Sequence, residues 1–228
     1  MDKPGAPFFN FFRKLFDPRK SPPPPAPISQ PTVPTPSPPA GTSYQRDNQT
    51  LLKQLQEANK YRYFLEEIAR RYSFQPAILC AIISRESAWG ITLTPPGPAG
   101  TGDFHHRVPR GQRQTVLPPD GKGYGRGLMQ IDYDWHEFAR IGNWQDPKAN
   151  ITYGCETLNN AREFFKKQLP HLQGEQALRA MVAAYNAGAT ATLTVLQNGE
   201  DVDAATTGKD YSKDVLNRAS WFRSQGWA

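Results

Sequence analysis

Among the 228 residues, Glu86 is the side chain best placed to move a proton. It closes an apolar run, Ala77-Ile78-Leu79-Cys80-Ala81-Ile82-Ile83-Ser84-Arg85-Glu86. As a helix, that run puts Ile82 and Ile83 one turn before the carboxyl and the negative end of the helix dipole beside it. Desolvation and the dipole both disfavour the ionised form, so the pKa should rise. A carboxylic acid still protonated near neutral pH is what a general acid needs when the leaving group is a glycosidic oxygen. The plain alternative is a surface Arg85–Glu86 pair at a fraying helix end, which would do no chemistry.

Three other segments carry polar groups in a comparable setting. These are Gly127-Leu128-Met129-Gln130-Ile131-Asp132, Ala183-Ala184-Tyr185-Asn186-Ala187-Gly188 and Asp210-Tyr211-Ser212-Lys213-Asp214-Val215. Phenol and amide groups hydrogen-bond sugar hydroxyls, and aromatic faces pack on sugar rings. Taken singly each segment has a structural reading: Asn186-Ala187-Gly188 as a helix end, Met129 as core packing.

In this order, and with Ile82-Ile83-Ser84-Arg85-Glu86-Ser87 before them, the segments resemble the lysozyme-like domain shared by goose-type lysozymes and soluble lytic transglycosylases. The goose-type branch is the more similar, because it joins Ser-Arg-Glu-Ser to Gly-Leu-Met-Gln-hydrophobic-Asp and to a late Asp-Tyr. The resemblance spans residues 48 to 227. It implies a helical, two-lobed domain with a small β and loop region, of the mainly α, α+β lysozyme-like class. It also implies a cleft that binds peptidoglycan glycan strands and cleaves the β-1,4 bond between N-acetylmuramic acid and N-acetylglucosamine.

Carried over by motif, the catalytic acid falls on Glu86. Ser87, Met129, Gln130, Tyr185, Asn186 and Tyr211 fall among the substrate-binding positions. Carboxylates that hold a water for inversion fall on Asp132 and, through Gly100-Thr101-Gly102-Asp103, on Asp103, with Asp120 as second choice. The chain departs from the family between Glu86 and Gly127, where a Pro- and Gly-rich insertion lengthens the connection, and at Arg126, where an aromatic residue is more usual. Long loops in compact domains tend to be functional, so the insertion is a candidate groove wall or flap. An inverting hydrolase keeps its carboxyls about 6.5 to 9.5 Å apart to admit water. A transglycosylase needs no such water, since the C6 hydroxyl of muramic acid attacks internally and leaves a 1,6-anhydro end. Asp132 with Gly-x-Gly-Asp favours hydrolysis; transglycosylation and an inactive peptidoglycan-binding module remain the alternatives.

The elements that must position these groups read as helices. Leu51, Leu52, Leu55, Tyr61, Tyr63, Phe64, Ile68 and Tyr72 recur at three- and four-residue steps, giving one or two amphipathic helices. Ser73 is expected to cap the next helix, Phe74 to Ser87. Further helices are predicted over 134–141, 148–168, 174–187 and 209–224, with Gly174 and Gly188 punctuating their ends. The stretch 94–127 has room for a small hairpin.

Composition divides the chain. Thirteen of the 22 prolines fall before residue 40, ten of them within residues 21–40, which predicts an extended, disordered Pro-rich tail. Residues 1–20 hold Phe8, Phe9, Phe11, Phe12, Leu15 and Phe16 on an arc of about 160°, an amphipathic segment suited to a membrane surface or a protein groove through residues 8–16. The domain plan is therefore 1–20 amphipathic segment, 21–44 linker and 45–228 catalytic domain. The net charge of +6 is split evenly, +3 in residues 1–40 and +3 in the rest, which argues against nucleic-acid binding and fits an anionic polymer or lipid surface.

No run reaches the roughly 18 to 20 apolar residues of a membrane span, in keeping with a mean hydropathy of -0.66. Glycines 121, 123, 125 and 127 fit no phosphate-binding loop. The four histidines and two cysteines lack metal-ligand spacing, so no metal or cofactor is expected. Cys80 and Cys155 read as buried thiols, with a disulfide as the other possibility. A monomer is expected. The substrate lies outside the cytoplasmic membrane, yet residues 1–20 lack the form of a secretory signal, so another route of delivery is implied. Sequons stand at Asn48 and Asn150.

Overall fold

Ser73 takes a left-handed conformation, φ 52°, and ends one helix instead of starting the next. Its N–H reaches Arg70 O, and Phe74 N–H reaches back to Ala69 O at 2.8 Å, which satisfies carbonyls at the end of the preceding helix. Gln75 is then extended, as a residue before proline must be, and the central helix begins at Pro76, whose missing N–H costs nothing in a first turn. The expected start at Phe74 with a Ser73 cap is thus corrected.

The computed structural model describes residues 41–108 and 113–227. The amphipathic segment 1–20 and the Pro-rich stretch up to residue 40 lie outside the described residues. Among the described residues there are eight α-helices and one small sheet: α1 Gln49–Asn59, α2 Arg62–Tyr72, α3 Pro76–Ser87, β1 Thr101–Gly102, β2 Gly125–Arg126, β3 Ile131–Asp132, α4 Glu137–Ile141, α5 Pro147–Gln168, α6 Gly174–Ala187, α7 Ala189–Gln197 and α8 Tyr211–Ser224. The fold is the mainly helical, α+β arrangement expected.

The core is built around α3. Ile78, Leu79, Ile82 and Ile83 are fully buried, each contributing about 1.5 to 3 kcal/mol of transfer free energy. Helix α3 packs most extensively on α8, while α6 packs on α5, α7 and α8. Cys80, on α3, and Cys155, on α5, are buried, separate thiols. The stripe on the first two helices is carried by Leu51, Leu65 and Ile68, whereas Tyr63, counted with it on periodicity, is 84% exposed.

Two boundaries differ from the sequence reading for local reasons. Helix α4 starts at Glu137, not at residue 134, because the Asp132 carboxylate accepts the Asp134 N–H at 2.8 Å and holds the chain in a turn. Helix α7 is unannounced by propensity, since Thr190, Thr192, Thr194 and Val195 are poor helix formers. It forms because the chain resumes directly after Gly188, φ 84°, and packs back on α6. Before α1, Thr42 Oγ1 donates to Asn217 Oδ1 at 2.9 Å and Tyr44 Oη to Asp214 Oδ1 at 2.5 Å, fastening residues 42–44 to α8.

The sheet is antiparallel in the order β1-β2-β3, with Gly102 opposite Gly125 and Gly125 opposite Asp132. The connection between β1 and β2 folds back on itself through an antiparallel bridge from Arg107 to Val116. Asn150, one of the two sequons, is fully buried on α5 and cannot serve as a surface acceptor.

Candidate active site

Glu86 sits in the last turn of α3, and the chain turns sharply straight after it: Ala88 and Trp89 adopt φ 47° and 59°. Trp89 anchors this reversal, buried and stacked on Tyr61 with ring centroids 6.2 Å apart. Glu86 itself keeps one side on a cleft of about 390 Å³, lined also by Asp103, Gln130, Asp132, His136 and Tyr185. Protein nevertheless surrounds the carboxyl closely enough that desolvation is the largest influence on it. Against the weaker, opposing pull of a hydrogen bond from Tyr211 and the charge of Arg85, its pKa is pushed up from 4.5 to about 7.

Arg85 does not pair with Glu86, which disposes of the frayed surface pair. It turns to Asp210 and Asp214, at 2.8 Å each, and so ties the end of α3 to the start of α8. Tyr211 is the first residue of α8 and is itself buried. That first turn is fixed from below by Asp203, only 1% exposed, whose carboxylate accepts Ser212 N–H at 2.7 Å and Lys213 N–H at 3.2 Å. The Tyr211 hydroxyl donates to Glu86 Oε1. Tyr185, on α6, lines the cleft and donates its hydroxyl to Met129 O at 2.7 Å; burial raises the pKa of both phenols, so both stay donors.

The segment 127–130 is a wall built by its backbone. Asn150 donates to Arg126 O and accepts Met129 N–H, both at 2.9 Å. Gly127 must be glycine: φ is 68°, and a Cβ there would fall 2.4 Å from Asn150 Nδ2. Gln130 lines the cleft with its amide held, Nε2 donating to Gly127 O at 2.7 Å and Oε1 pressed against Gly102 and Gly125. Ser87 and Met129 lie below this wall. Ser87 is fully buried and donates to Leu128 O at 2.7 Å, and the Met129 side chain is fully buried against Gly154, so neither side chain is open to a ligand. Asn186 lies on the cleft, its Oδ1 accepting Thr207 N–H at 2.9 Å.

Asp103 and Asp132 both line the cleft, Asp103 just beyond β1 and Asp132 on β3. Asp120 does not line it: its carboxylate holds Arg126 at 2.8 and 2.9 Å, and Arg126 is buried between the rings of Tyr133 and Trp144. Three cleft residues carry no signal that spacing alone reveals. Arg107 belongs to the connection between β1 and β2, and Thr157 to the cleft-facing side of α5. His136, set aside for want of metal spacing, has its Nδ1 3.0 Å from Tyr153 Oη, and burial lowers its pKa from 6.5. Among the described residues, no cluster of histidine, cysteine or carboxylate side chains is arranged to hold a metal. The site is therefore a protonated carboxyl, two further carboxylates and a set of amide and phenol groups around a groove.

Comparison with known proteins identifies the family of the chain. The family model for lysozyme g matches residues 49–226. Lysozyme g of Cyprinus carpio is 31% identical over 173 residues, covering 76% of this chain and 78% of that protein. Lysozyme g of Gallus gallus is 30% identical over 192 residues, covering 83% and 77%. Lysozyme g of Takifugu rubripes is 32% identical over 164 residues, covering 72% and 74%. With its domain matched nearly end to end and a groove of the chemistry just described, the chain belongs to the lysozyme g family of glycoside hydrolases.

Proposed function

We propose that this protein is a muramidase that cleaves the β-1,4 bond between N-acetylmuramic acid and N-acetylglucosamine by inverting hydrolysis. Glu86 gives its proton to the glycosidic oxygen as the bond to the muramic acid anomeric carbon breaks. A water held by Asp103 and Asp132 attacks that carbon from the opposite face and loses a proton to one of the two carboxylates. The products are a reducing muramic acid end of inverted configuration and a free 4-hydroxyl on N-acetylglucosamine. Solvent then restores the proton to Glu86 and takes one from the aspartate.

The observation that carries this reading is the opposition of environments in one cleft. Glu86 is desolvated and held protonated to about pH 7, whereas Asp103 and Asp132 are ion-paired. A carboxyl whose surroundings keep its proton near neutral pH is how the acid of a glycosidase is recognised. A second reading, internal attack by the C6 hydroxyl, uses the same acid, Glu86, but no water held by the aspartates.

Digestion of purified glycan strands in ¹⁸O-water separates the two. Hydrolysis puts the label on every new reducing end. Unlabelled 1,6-anhydro ends would replace this reading with transglycosylation.

A further inference from the structure

Arg107 belongs to the insertion, yet its guanidinium ends between the two aspartates of the cleft. Nη2 donates to Asp103 Oδ2, and Nη1 donates to Asp132 Oδ2 at 2.7 Å and to Asp134 Oδ2 at 3.3 Å. The arginine is itself restrained. Its backbone O accepts Val116 N–H at 3.1 Å, and its guanidinium lies 4.2 Å from the ring centroid of Tyr124. Tyr124 is 3% exposed and donates its hydroxyl to Val116 O at 2.5 Å, so ring, bridge and guanidinium form one unit.

The sheet needs such a clamp. Asp132 is on β3, and Asp103 follows Gly102 on β1, with β2 between them. Two strand spacings separate their backbones by roughly 10 Å, which leaves the carboxylates free to swing. Asp103, Asp132 and Asp134 carry three negative charges that would drive them apart if unpaired. A planar guanidinium with two terminal nitrogens can hold two carboxylates at a fixed distance and angle, which a point charge cannot. Arg107 takes the Oδ2 edge of each aspartate. The Oδ1 atom of Asp132 accepts Asp134 N–H, and among the described residues the side-chain hydrogen bonding of Asp103 runs through Oδ2, leaving its Oδ1 for a water.

We propose that Arg107 is a positioning residue. It sets the separation of Asp103 and Asp132 so that one water is held at the anomeric carbon and reaches it before the internal C6 hydroxyl does. The inference rests on the hydrolytic reading above. It gives the insertion a role in deciding the product.

The test compares the full-length wild type with Arg107→Ala and Arg107→Lys on purified glycan strands in ¹⁸O-water. Rates, labelled reducing ends and 1,6-anhydro ends are measured together, and thermal midpoints monitor folding. Arg107→Ala is expected to lower kcat about tenfold or more with KM within about twofold, and to raise the fraction of unlabelled anhydro ends. Arg107→Lys is expected to fall between the two, since an ammonium reaches one carboxylate well but lacks the fork. Wild-type kcat and wild-type products in Arg107→Ala would overturn the inference. So would an effect confined to KM, or a loss of rate matched by loss of the folded fraction at the assay temperature. Should Arg107→Ala fail to fold, Arg107→Lys decides: wild-type kcat and products in that variant overturn the positioning role. If the wild type itself makes only unlabelled anhydro ends, it is the hydrolytic reading that falls. Labelled wild-type products with an indifferent Arg107→Ala remove the arginine's role alone.

Discussion

The hydroxyl of Tyr211 donates to Oε1 of Glu86, joining the start of α8 to the end of α3 across 125 positions of sequence. The bond opposes the burial of the carboxyl. Donation favours the ionised form and lowers the pKa, while desolvation raises it and wins. Tyr211 therefore sets how far above an ordinary glutamate the acid stands. It also fixes which oxygen remains to face the cleft.

Tyr211→Phe should accordingly raise the Glu86 pKa above about 7. In the pH profile of kcat/KM the alkaline limb reports ionisation of the acid, so that limb should move to higher pH in the variant. A limb that stays in place, or moves down, would show that the phenol does not stabilise the carboxylate.

Glu86→Gln tests both function and linkage. Loss of the proton donor should reduce turnover by about 10²- to 10⁴-fold on glycan strands. Stability should move the other way. A carboxyl with a raised folded pKa contributes stability that is fully present below its unfolded value of 4.5 and is lost as pH rises through about 7. The uncharged amide is spared that loss. The variant should therefore match the wild type near pH 4 and exceed it above pH 7 by up to about 3 kcal/mol, read from urea midpoints at the two pH values.

Much of this site is legible in the chain because its parts are local. The apolar run 77–83 followed by Glu86 leaves both a buried carboxyl and an exposed Arg85–Glu86 pair open, and the three later segments in register tip the reading to the buried acid. What spacing does not reveal is where long side chains end. Spacing gives Arg107 no role and marks Arg126 only as a departure from the aromatic residue more usual in the family, yet one reaches the cleft and the other is fully buried. Ser87 and Met129 show the converse. Their neighbours in sequence are at the site, but helix and wall geometry turn their side chains into the core. Ser73 reads as a helix start because serine favours that position, and it is overruled by Pro76, which fixes the true first turn.

The wall of the cleft should depend on Asn150 more than on any residue that touches its surface. Asn150→Ala leaves Met129 N–H and Arg126 O buried without their partner, at about 1 to 3 kcal/mol each. Gly127→Ala forces a side chain into the left-handed region and against the same asparagine. Both variants should lose about 2 to 4 kcal/mol in urea unfolding. Activity should fall at temperatures where they remain folded, because Gln130 hangs from Gly127 O. Wild-type stability in either variant would contradict the wall as described.

Arg126 offers a test of what a buried charge contributes. Its side chain is fully buried, it pairs with Asp120, and among the described residues its Nε has no hydrogen-bond partner. Asp120 is 42% exposed, so part of its attraction is screened, and Asp120→Ala should cost about 1 to 3 kcal/mol by stranding the guanidinium between Tyr133 and Trp144. Replacing both partners removes the desolvation penalty together with the attraction. Asp120→Ala combined with Arg126→Met should then recover most of the loss, with a coupling energy of about 1 kcal/mol or more in a double-mutant cycle. The pair would in that case serve to seat the insertion against β2 rather than to stabilise the fold. Activity of the double variant should consequently fall further than its stability, because Arg107 is carried by the same insertion. A double variant as unstable as the sum of its singles would instead leave no coupling energy and show that Asp120 and Arg126 contribute independently of their ion pair.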